Sequence, residues 1–128
     1  MKIVIGYPPN YKKIKERFTL PDDVIFTYGD TIYNPTDGMI DKPLLEHEKV
    51  HNKQQGYNIE GWWYKYLTDN EFRLDQEIEA YQRQYRVAKE IVSRDQLFTL
   101  LQNIAKNLSG DMYGNLISYD KAMQIIKN

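Results

Sequence analysis

Residues 43–55, PLLEHEKVHNKQQ, are the stretch in which the chain changes from short β-type runs to helical periodicity. A proline at its start and a glycine directly after it are typical of the two ends of a helix. The only two histidines of the chain, His47 and His51, stand four residues apart in this stretch, with Glu48 between them. The predicted helix therefore carries a complete H-E-x-x-H pattern.

This spacing indicates a metal site because of the geometry of the helix. Each residue turns by about 100°, so that His47, Glu48 and His51 fall within about 100° of one another on one face. Two imidazoles one turn apart can bind one Zn²⁺ ion, and the carboxylate between them can take a proton from a bound water without being a ligand itself. The alternative is that both histidines are ordinary residues on a half-buried helix face.

Composition restricts the other kinds of site. The chain has 128 residues, of which 41% are hydrophobic and 27% charged, which is enough for one core and predicts a single domain over residues 1–128. It has no cysteine, which excludes disulfide scaffolds, thiolate metal sites and cysteine nucleophiles. Its 17 basic and 18 acidic residues balance to a net charge of -1, so neither a nucleic acid nor an anionic membrane is an expected partner.

No segment has the character of a targeting or membrane-spanning sequence. The apolar run near the N-terminus, Ile3 to Ile5, is far shorter than the apolar region of a signal peptide. No stretch approaches 18 consecutive apolar residues. A cytoplasmic protein without a signal peptide is therefore expected.

The order of short β-type runs and longer helical patterns predicts the fold class. Lys2 to Ile5 form a short β-branched run that predicts a brief strand, and Tyr11 to Phe18 can form one or two helical turns. A Gly29-Asp30 turn, suited to a type II′ hairpin, joins two further β-type runs upstream of residue 43. Helical patterns follow over about 43–55, 58–67, 71–92, 93–108 and 118–128. We expect an α+β fold in which a small N-terminal β-hairpin or sheet packs on a mainly helical core of four to five helices.

A third metal ligand has to come from outside the histidine helix. A catalytic zinc site uses three protein ligands and keeps a fourth position open, and this chain leaves only carboxylates or, less plausibly, a tyrosine. In the predicted helix 71–92, Glu77 lies on the apolar stripe, whereas Glu79 lies about 160° away and should point outward. A carboxylate on an apolar face needs a metal or a cation, which makes Glu77 the expected ligand. The alternative is a buried ion pair with Arg73. The stripe within about 60° of Glu77 consists of Leu74, Ala80, Tyr81, Gln84, Ala88 and Ile91.

The sequence LEHEKVHNKQ at 45–54, followed by EIEAY at 77–81, resembles the gluzincin class of zinc metallopeptidases, in particular small forms with H-E-x-x-H on one helix and E-x-E-A-D or E-x-x-A on the next. The resemblance covers about residues 24–85 and implies a zincin-like domain that cleaves peptide bonds. It implies that His47, His51 and Glu77 bind zinc and that Glu48 is the general base. It also implies that a strand beside the histidine helix pairs with an extended peptide; the alternative is a hairpin that only caps the helical core.

Two features set this chain apart from related patterns. The metzincin extension is absent, because Gln54 and Tyr57 stand where it needs glycine and histidine. Where gluzincins often have an aspartate that orients a ligand histidine, this chain has Tyr81. Tyr81 is therefore a candidate either for that orienting role or for stabilising the oxyanion, for which Tyr113 and Tyr57 are further candidates because no histidine remains.

Two functions follow as expectations. The first is a zinc-dependent hydrolase of peptide bonds whose partner is a peptide or protein substrate. The second is a non-catalytic or structural protein on a metallopeptidase-like scaffold, because 128 residues leave little chain for a substrate cleft. LSGDMYGN at 108–115, together with the motifs, resembles small H-E-x-x-H proteins encoded by tailed bacteriophages, which makes a virion component one form of this alternative. Virion or other protein partners would belong to this second function. The aromatic cluster at 62–66 is expected to be core rather than a ligand platform, and the basic run at 12–17 a solvated face.

Overall fold

The computed structural model describes all 128 residues and contains three short strands and six α-helices. The strands are β1 (Lys2–Val4), β2 (Phe26–Tyr28) and β3 (Thr31–Tyr33). The helices are α1 (Tyr11–Arg17), α2 (Lys42–Gln55), α3 (Ile59–Thr68), α4 (Asn70–Lys89), α5 (Arg94–Leu108) and α6 (Tyr119–Lys127), with a 3-10 turn at Asp111–Tyr113 between α5 and α6. The predicted α+β class with a mainly helical core is confirmed.

The three strands form one sheet in the order β1-β3-β2, so that β2 is an edge strand. β2 and β3 are antiparallel, with Thr27 opposite Ile32, and β1 runs parallel to β3. The hairpin turn has a positive φ of 63° at Gly29 and none at Asp30, as the predicted type II′ turn requires. β1, the brief strand expected at Lys2 to Ile5, extends the hairpin to a sheet of three strands.

Helix α2 begins and ends where its local sequence directs. The Asp41 side chain accepts a hydrogen bond from the Leu44 N–H at 2.9 Å, which caps the first turn around Pro43. The helix ends at Gly56, whose φ of 52° is unfavourable for residues with a side chain. α2 then packs along α4, which Asp69 caps by accepting from the Phe72 N–H.

The apolar core of the protein consists of two clusters. The larger joins α4, α5, α6 and the 3-10 turn. The smaller joins α1 with α3 and contains Trp62, Trp63 and Tyr66 of the aromatic cluster predicted for the core, whereas Tyr64 of that cluster is 69% exposed. Most of the buried polar side chains of the protein stand on α2 and α4, namely His47, Glu48, His51 and Gln55 on α2 and Arg73, Glu77 and Gln84 on α4. Burial of polar groups costs free energy unless they are paired. The concentration of such groups on α2 and α4 makes this helix pair the candidate site.

Two sequence expectations need correction. α4 ends at Lys89 rather than near Val92. The N–H groups of Ile91 and Val92 both bond to the Ala88 carbonyl in a turn, and Ser93 directly after it caps α5. Ile91 therefore lies outside the helix and is 55% exposed, so it does not belong to the buried stripe of α4. The helices expected for the core are α2 to α6, and the one or two helical turns expected at Tyr11 to Phe18 form the short helix α1. None of the six combines the length and apolar character that a membrane crossing requires.

Candidate metal centre

Three potential ligand atoms from α2 and α4 converge on one point. His47 Nε2 and His51 Nε2 lie 3.1 Å apart, and Glu77 Oε1 lies 3.1 Å from the first and 3.0 Å from the second. All three residues are buried. The His47, His51 and Glu77 side chains thus form a group that could hold one metal ion.

The spacing of these atoms fits a tetrahedral ion. Ligand atoms bound to zinc at about 2.0–2.1 Å lie about 3.3–3.4 Å from one another in a regular tetrahedron, a few tenths of an ångström more than the 3.0–3.1 Å separations here. Two imidazole nitrogens and one carboxylate oxygen are also a donor set that zinc accepts. Three protein ligands leave one position for a water or a substrate, as in catalytic sites.

The other ring nitrogen of each histidine is held by a glutamine. His47 Nδ1 lies 2.9 Å from Gln84 Oε1, and His51 Nδ1 lies 2.8 Å from Gln54 Oε1. Because an amide oxygen only accepts, both Nδ1 atoms carry a hydrogen, which leaves Nε2 of each ring as the nitrogen that can bind a metal. Converging lone pairs and a carboxylate repel one another unless a cation or a proton lies between them.

Glu77 is held at both oxygens. Its Oε1 faces the histidines, and its Oε2 accepts a hydrogen bond of 2.5 Å from the Tyr66 hydroxyl. Burial alone would raise the pKa of Glu77, but the His51 and His47 imidazoles hold it well below its usual range. Burial likewise lowers the pKa of His51, but the Glu77 and Glu48 carboxylates outweigh it and raise the pKa to about 9. The cluster therefore has a local negative potential that favours a cation.

The alternative of a Glu77–Arg73 ion pair is wrong. Arg73 is fully buried, but its guanidinium points away from the histidines and donates to main-chain oxygens of Tyr66 and Met112 and to Asn70 Oδ1. No cation from the chain therefore compensates Glu77 apart from the two histidines. Glu79 is exposed, as predicted, and accepts from Gln54 Nε2 at 2.7 Å.

Glu48 lies beside the three converging residues but is not one of them. Its Oε2 is 3.6 Å from His47 Nε2, and its Oε1 accepts a hydrogen bond of 2.9 Å from Thr27 Oγ1 of β2. Both Glu48 and Thr27 are buried. The sheet therefore contributes directly to the site, because it fixes the carboxylate of the H-E-x-x-H pattern.

A cleft of about 650 Å³ opens onto this centre. His47, Glu48, His51 and Glu77 all line it. Its walls are mainly apolar, from the segment between α1 and β2 on one side (Leu20, Pro21, Val24, Ile25) and from α5 and the 3-10 turn on the other (Leu100, Ile104, Met112). A concave, mainly apolar wall with a few converging polar groups is the usual character of a small-molecule or peptide site.

The structure separates the three tyrosines considered for the oxyanion. Tyr57 is fully exposed and does not line the cleft, so it is excluded. Tyr113 lines the cleft but is almost completely buried. Tyr81 also lines the cleft, and its ring meets the His47 ring edge to face at 4.5 Å between centroids. Burial and the Glu77 carboxylate raise the pKa of Tyr81, so its phenol remains a hydrogen-bond donor at neutral pH.

Sequence reasoning missed four of the residues that support the centre, namely Thr27, Gln54, Tyr66 and Gln84. Tyr81, one candidate for orienting a histidine, contacts His47 through its ring, and the acceptor of the His47 Nδ1 hydrogen is Gln84 instead. One signal was available, because Gln84 lies on the same predicted stripe as Glu77, two turns further along α4. For Thr27 and Tyr66 the sequence offered none.

The strand beside the site is only partly available to a peptide. β2 is an edge strand, but the carbonyl of Thr27 accepts from Gln55 Nε2 at 2.9 Å and from Trp63 Nε1 at 3.3 Å. At Thr27 the hairpin is therefore bonded to α2 and α3, as expected for a hairpin that caps the helical core. The segment upstream of β2 lines the cleft.

No known family model, curated protein or solved structure matches the chain. What is shown is a buried His-His-Glu group that could hold a metal ion and is compatible with a zinc site of the H-E-x-x-H type.

Proposed function

We propose that the chain is a zinc-dependent hydrolase of peptide bonds, in which His47, His51 and Glu77 hold the metal and Glu48 is the general base. The observation that carries the proposal is the position of Glu48. It is a buried carboxylate at the edge of the ligand group, in the wall of the cleft, with one oxygen anchored by Thr27. A site that holds a metal only for stability has no use for such a group.

When bound, zinc would lower the pKa of a water molecule and polarise the substrate carbonyl as a Lewis acid. Glu48 then has two tasks. Its Oε2 faces the ligand group and takes the proton of the attacking water, and it later gives that proton to the nitrogen of the leaving amine. Thr27 keeps Oε1 in place throughout, so that the carboxylate does not have to reorganise between the two transfers.

Tyr81 is the residue best placed to donate a hydrogen bond to the developing oxyanion. It stands in the cleft beside His47. Of the other two tyrosines that line the cleft, Tyr113 is packed in the core formed by α4, α5 and α6, and the Tyr66 hydroxyl is already bonded to Glu77. A donor prepositioned in a largely apolar cleft stabilises charge more strongly than it would in water. Tyr81 thus takes the part that a histidine would otherwise fill.

The cleft walls indicate the kind of peptide. Most lining residues beyond the polar centre are apolar, with few charges at the rim, namely Lys106 and Asp111. We propose that a peptide binds with an apolar side chain against these walls. Its main chain would lie along the segment that precedes β2, because the outward carbonyl of Thr27 is already bonded to α2 and α3.

Metal analysis and turnover of matched variants test the proposal. The wild-type protein is expected to contain about one equivalent of zinc and to cleave peptides, and His47→Ala to lose the metal. Glu48→Gln should keep zinc and lose hydrolysis, since the amide cannot accept the proton. Glu46→Gln is the control: it makes the same change two residues earlier on α2, where the side chain binds Arg83 and Lys49 at the surface.

The outcomes separate the two expected functions. Zinc that is bound without hydrolysis of any peptide or peptidoglycan substrate would overturn the enzyme and favour a metal-stabilised structural protein, such as a virion component. Hydrolysis that survives Glu48→Gln would remove Glu48 from the chemistry. A purified protein that binds no zinc and whose stability is unaffected by chelation would overturn the metal site itself.

A further inference from the structure

The two histidines of the metal centre lack the carboxylate partners common at zinc sites. Each ring meets the oxygen of a glutamine amide, Gln84 for His47 and Gln54 for His51. In metal sites, the group that accepts from the second ring nitrogen fixes the tautomer and the orientation of the ring. Both acceptors here are neutral amide oxygens. Their effect on metal binding therefore comes from the orientation that they give to the rings rather than from a negative charge.

The orientation of the Gln54 amide is determined by its surroundings. Its Nε2 donates to the main-chain oxygen of Gln76 at 3.0 Å and to Glu79 Oε1 at 2.7 Å, both on α4. With its nitrogen held by two acceptors, the amide must present its oxygen to His51. Gln54 thus ties the His51 ring to the helix that carries Glu77.

Gln84, which itself belongs to α4, ties the His47 ring to the same helix. It is buried, lies two turns beyond Glu77 on α4, and reaches the His47 ring nitrogen that faces away from the ligand group. Each histidine of α2 is therefore held by a hydrogen bond network that includes α4. A shift of α4 relative to α2 would move the Glu77 carboxylate and the restraint on both rings together.

We infer that Gln54 and Gln84 are positioning residues that set the zinc affinity of the site by holding His51 and His47 with the ring nitrogen Nε2 free for the metal. The inference rests on the metal site of the proposed function, but it does not require hydrolysis. Removal of one acceptor is expected to weaken zinc binding by about tenfold to a hundredfold, the usual effect of losing such a partner.

The experiment measures zinc affinity by competition with a chromophoric chelator. The variants are Gln84→Met and Gln54→Met, which keep the length of the side chain and remove the amide. Gln82→Met is the control, since Gln82 lies on α4 and donates only to the Ile125 carbonyl. Gln84→Glu keeps an acceptor in place and should bind zinc at least as tightly as the wild type. Thermal unfolding of the metal-free forms shows whether each variant folds.

A second readout follows the rings directly. Because the chain has only two histidines, the ring N–H signals of the zinc-loaded, ¹⁵N-labelled protein can be assigned from the variants themselves. Slow exchange of the His47 Nδ1 hydrogen should be lost in Gln84→Met and retained in Gln54→Met, and the reverse is expected for His51. A purely structural effect of the substitutions would not separate the two rings in this way.

The results distinguish this inference from the proposed function. If the wild type binds zinc but both methionine variants stay within about twofold of it, or fall no further than Gln82→Met, the inference is wrong and the metal site stands. If folded Gln84→Glu binds as weakly as Gln84→Met, the acceptor is not what matters and the inference is also wrong. If the wild type binds no zinc, the metal site fails and the inference fails with it.

Discussion

The Tyr66 hydroxyl donates a hydrogen bond of 2.5 Å to Glu77 Oε2, the carboxylate oxygen that does not face the histidines. Tyr66 belongs to α3 and Glu77 to α4, so the bond joins two helices that follow each other in the chain. It leaves Oε1 as the one oxygen directed to His47 and His51. The pKa of Tyr66 is raised well above its usual range by burial and by the Glu77 carboxylate, so the phenol stays a donor.

Tyr66→Phe is expected to weaken zinc binding by about tenfold, because Glu77 loses the contact that orients it while the ring keeps its stacking on Trp62. The measurement is zinc affinity by chelator competition. Tyr85→Phe is the control, since Tyr85 is a buried tyrosine of α4 in the other apolar cluster. Equal affinities for Tyr66→Phe and the wild type would show that the hydrogen bond does not support the ligand.

The two glutamates of the E-x-E pattern are expected to behave differently. Glu77→Gln should weaken zinc binding by more than about a hundredfold, because an amide replaces the only anionic ligand. Glu79→Gln should bind nearly as the wild type does, because Glu79 is exposed and a glutamine can still accept from Gln54. Metal analysis after dialysis compares the two variants. Loss of zinc from Glu79→Gln but not from Glu77→Gln would show that the ligand is Glu79 and not Glu77.

Thr27→Val removes the hydroxyl that holds Glu48 Oε1 and keeps the shape of the side chain. The expected result is a fall in kcat of about tenfold or more at unchanged zinc content, because the carboxylate proposed as the general base is no longer fixed. Thr27→Ser, which retains the hydroxyl, should restore most of the activity. Steady-state kinetics with metal analysis test this. A valine variant with the turnover of the wild type would disprove the role of Thr27.

Arg73→Leu is expected to lower the free energy of unfolding by about 3 kcal/mol, since it strands buried acceptors that the guanidinium now satisfies. These are main-chain oxygens at the end of α3 and in the 3-10 turn, together with Asn70. Urea unfolding of the metal-free protein measures the change. Arg86→Leu, at an exposed position of the same helix, should change stability by less than about 0.5 kcal/mol. Similar values for both variants would contradict the buried role of Arg73.

Zinc should stabilise the folded chain, because the ligand atoms of α2 and α4 converge only in the native structure. At a free zinc concentration of about a hundred times the dissociation constant, the expected gain is about 2.7 kcal/mol. Thermal unfolding with zinc and with excess chelator measures it. His47→Ala, unable to complete the site, should give the same Tm under both conditions. A zinc-dependent shift that persists in His47→Ala would place the metal elsewhere.

Local sequence determined a large part of this protein. The 3.6-residue period places His47, Glu48 and His51 on one face of α2, and the same period directs Glu77 inward and Glu79 outward on α4. Such directions depend only on the phase within one helix. The absence of cysteine and of a third histidine left a carboxylate as the main candidate for the remaining ligand. The fold class followed from the order of β-type and helical patterns.

Only the tertiary structure decided which side chains meet across elements. Thr27 of β2, Tyr66 of α3 and Gln84 of α4 reach the site because the sheet and α3 pack against the α2–α4 pair. It also turned Arg73 away from Glu77 and left Ile91 outside α4. Helical phase gives a direction about one axis, but it carries no information on how far that axis lies from another. That distance depends on the packing of the whole chain. The same packing determines which hydrogen bonds hold the candidate metal ligands.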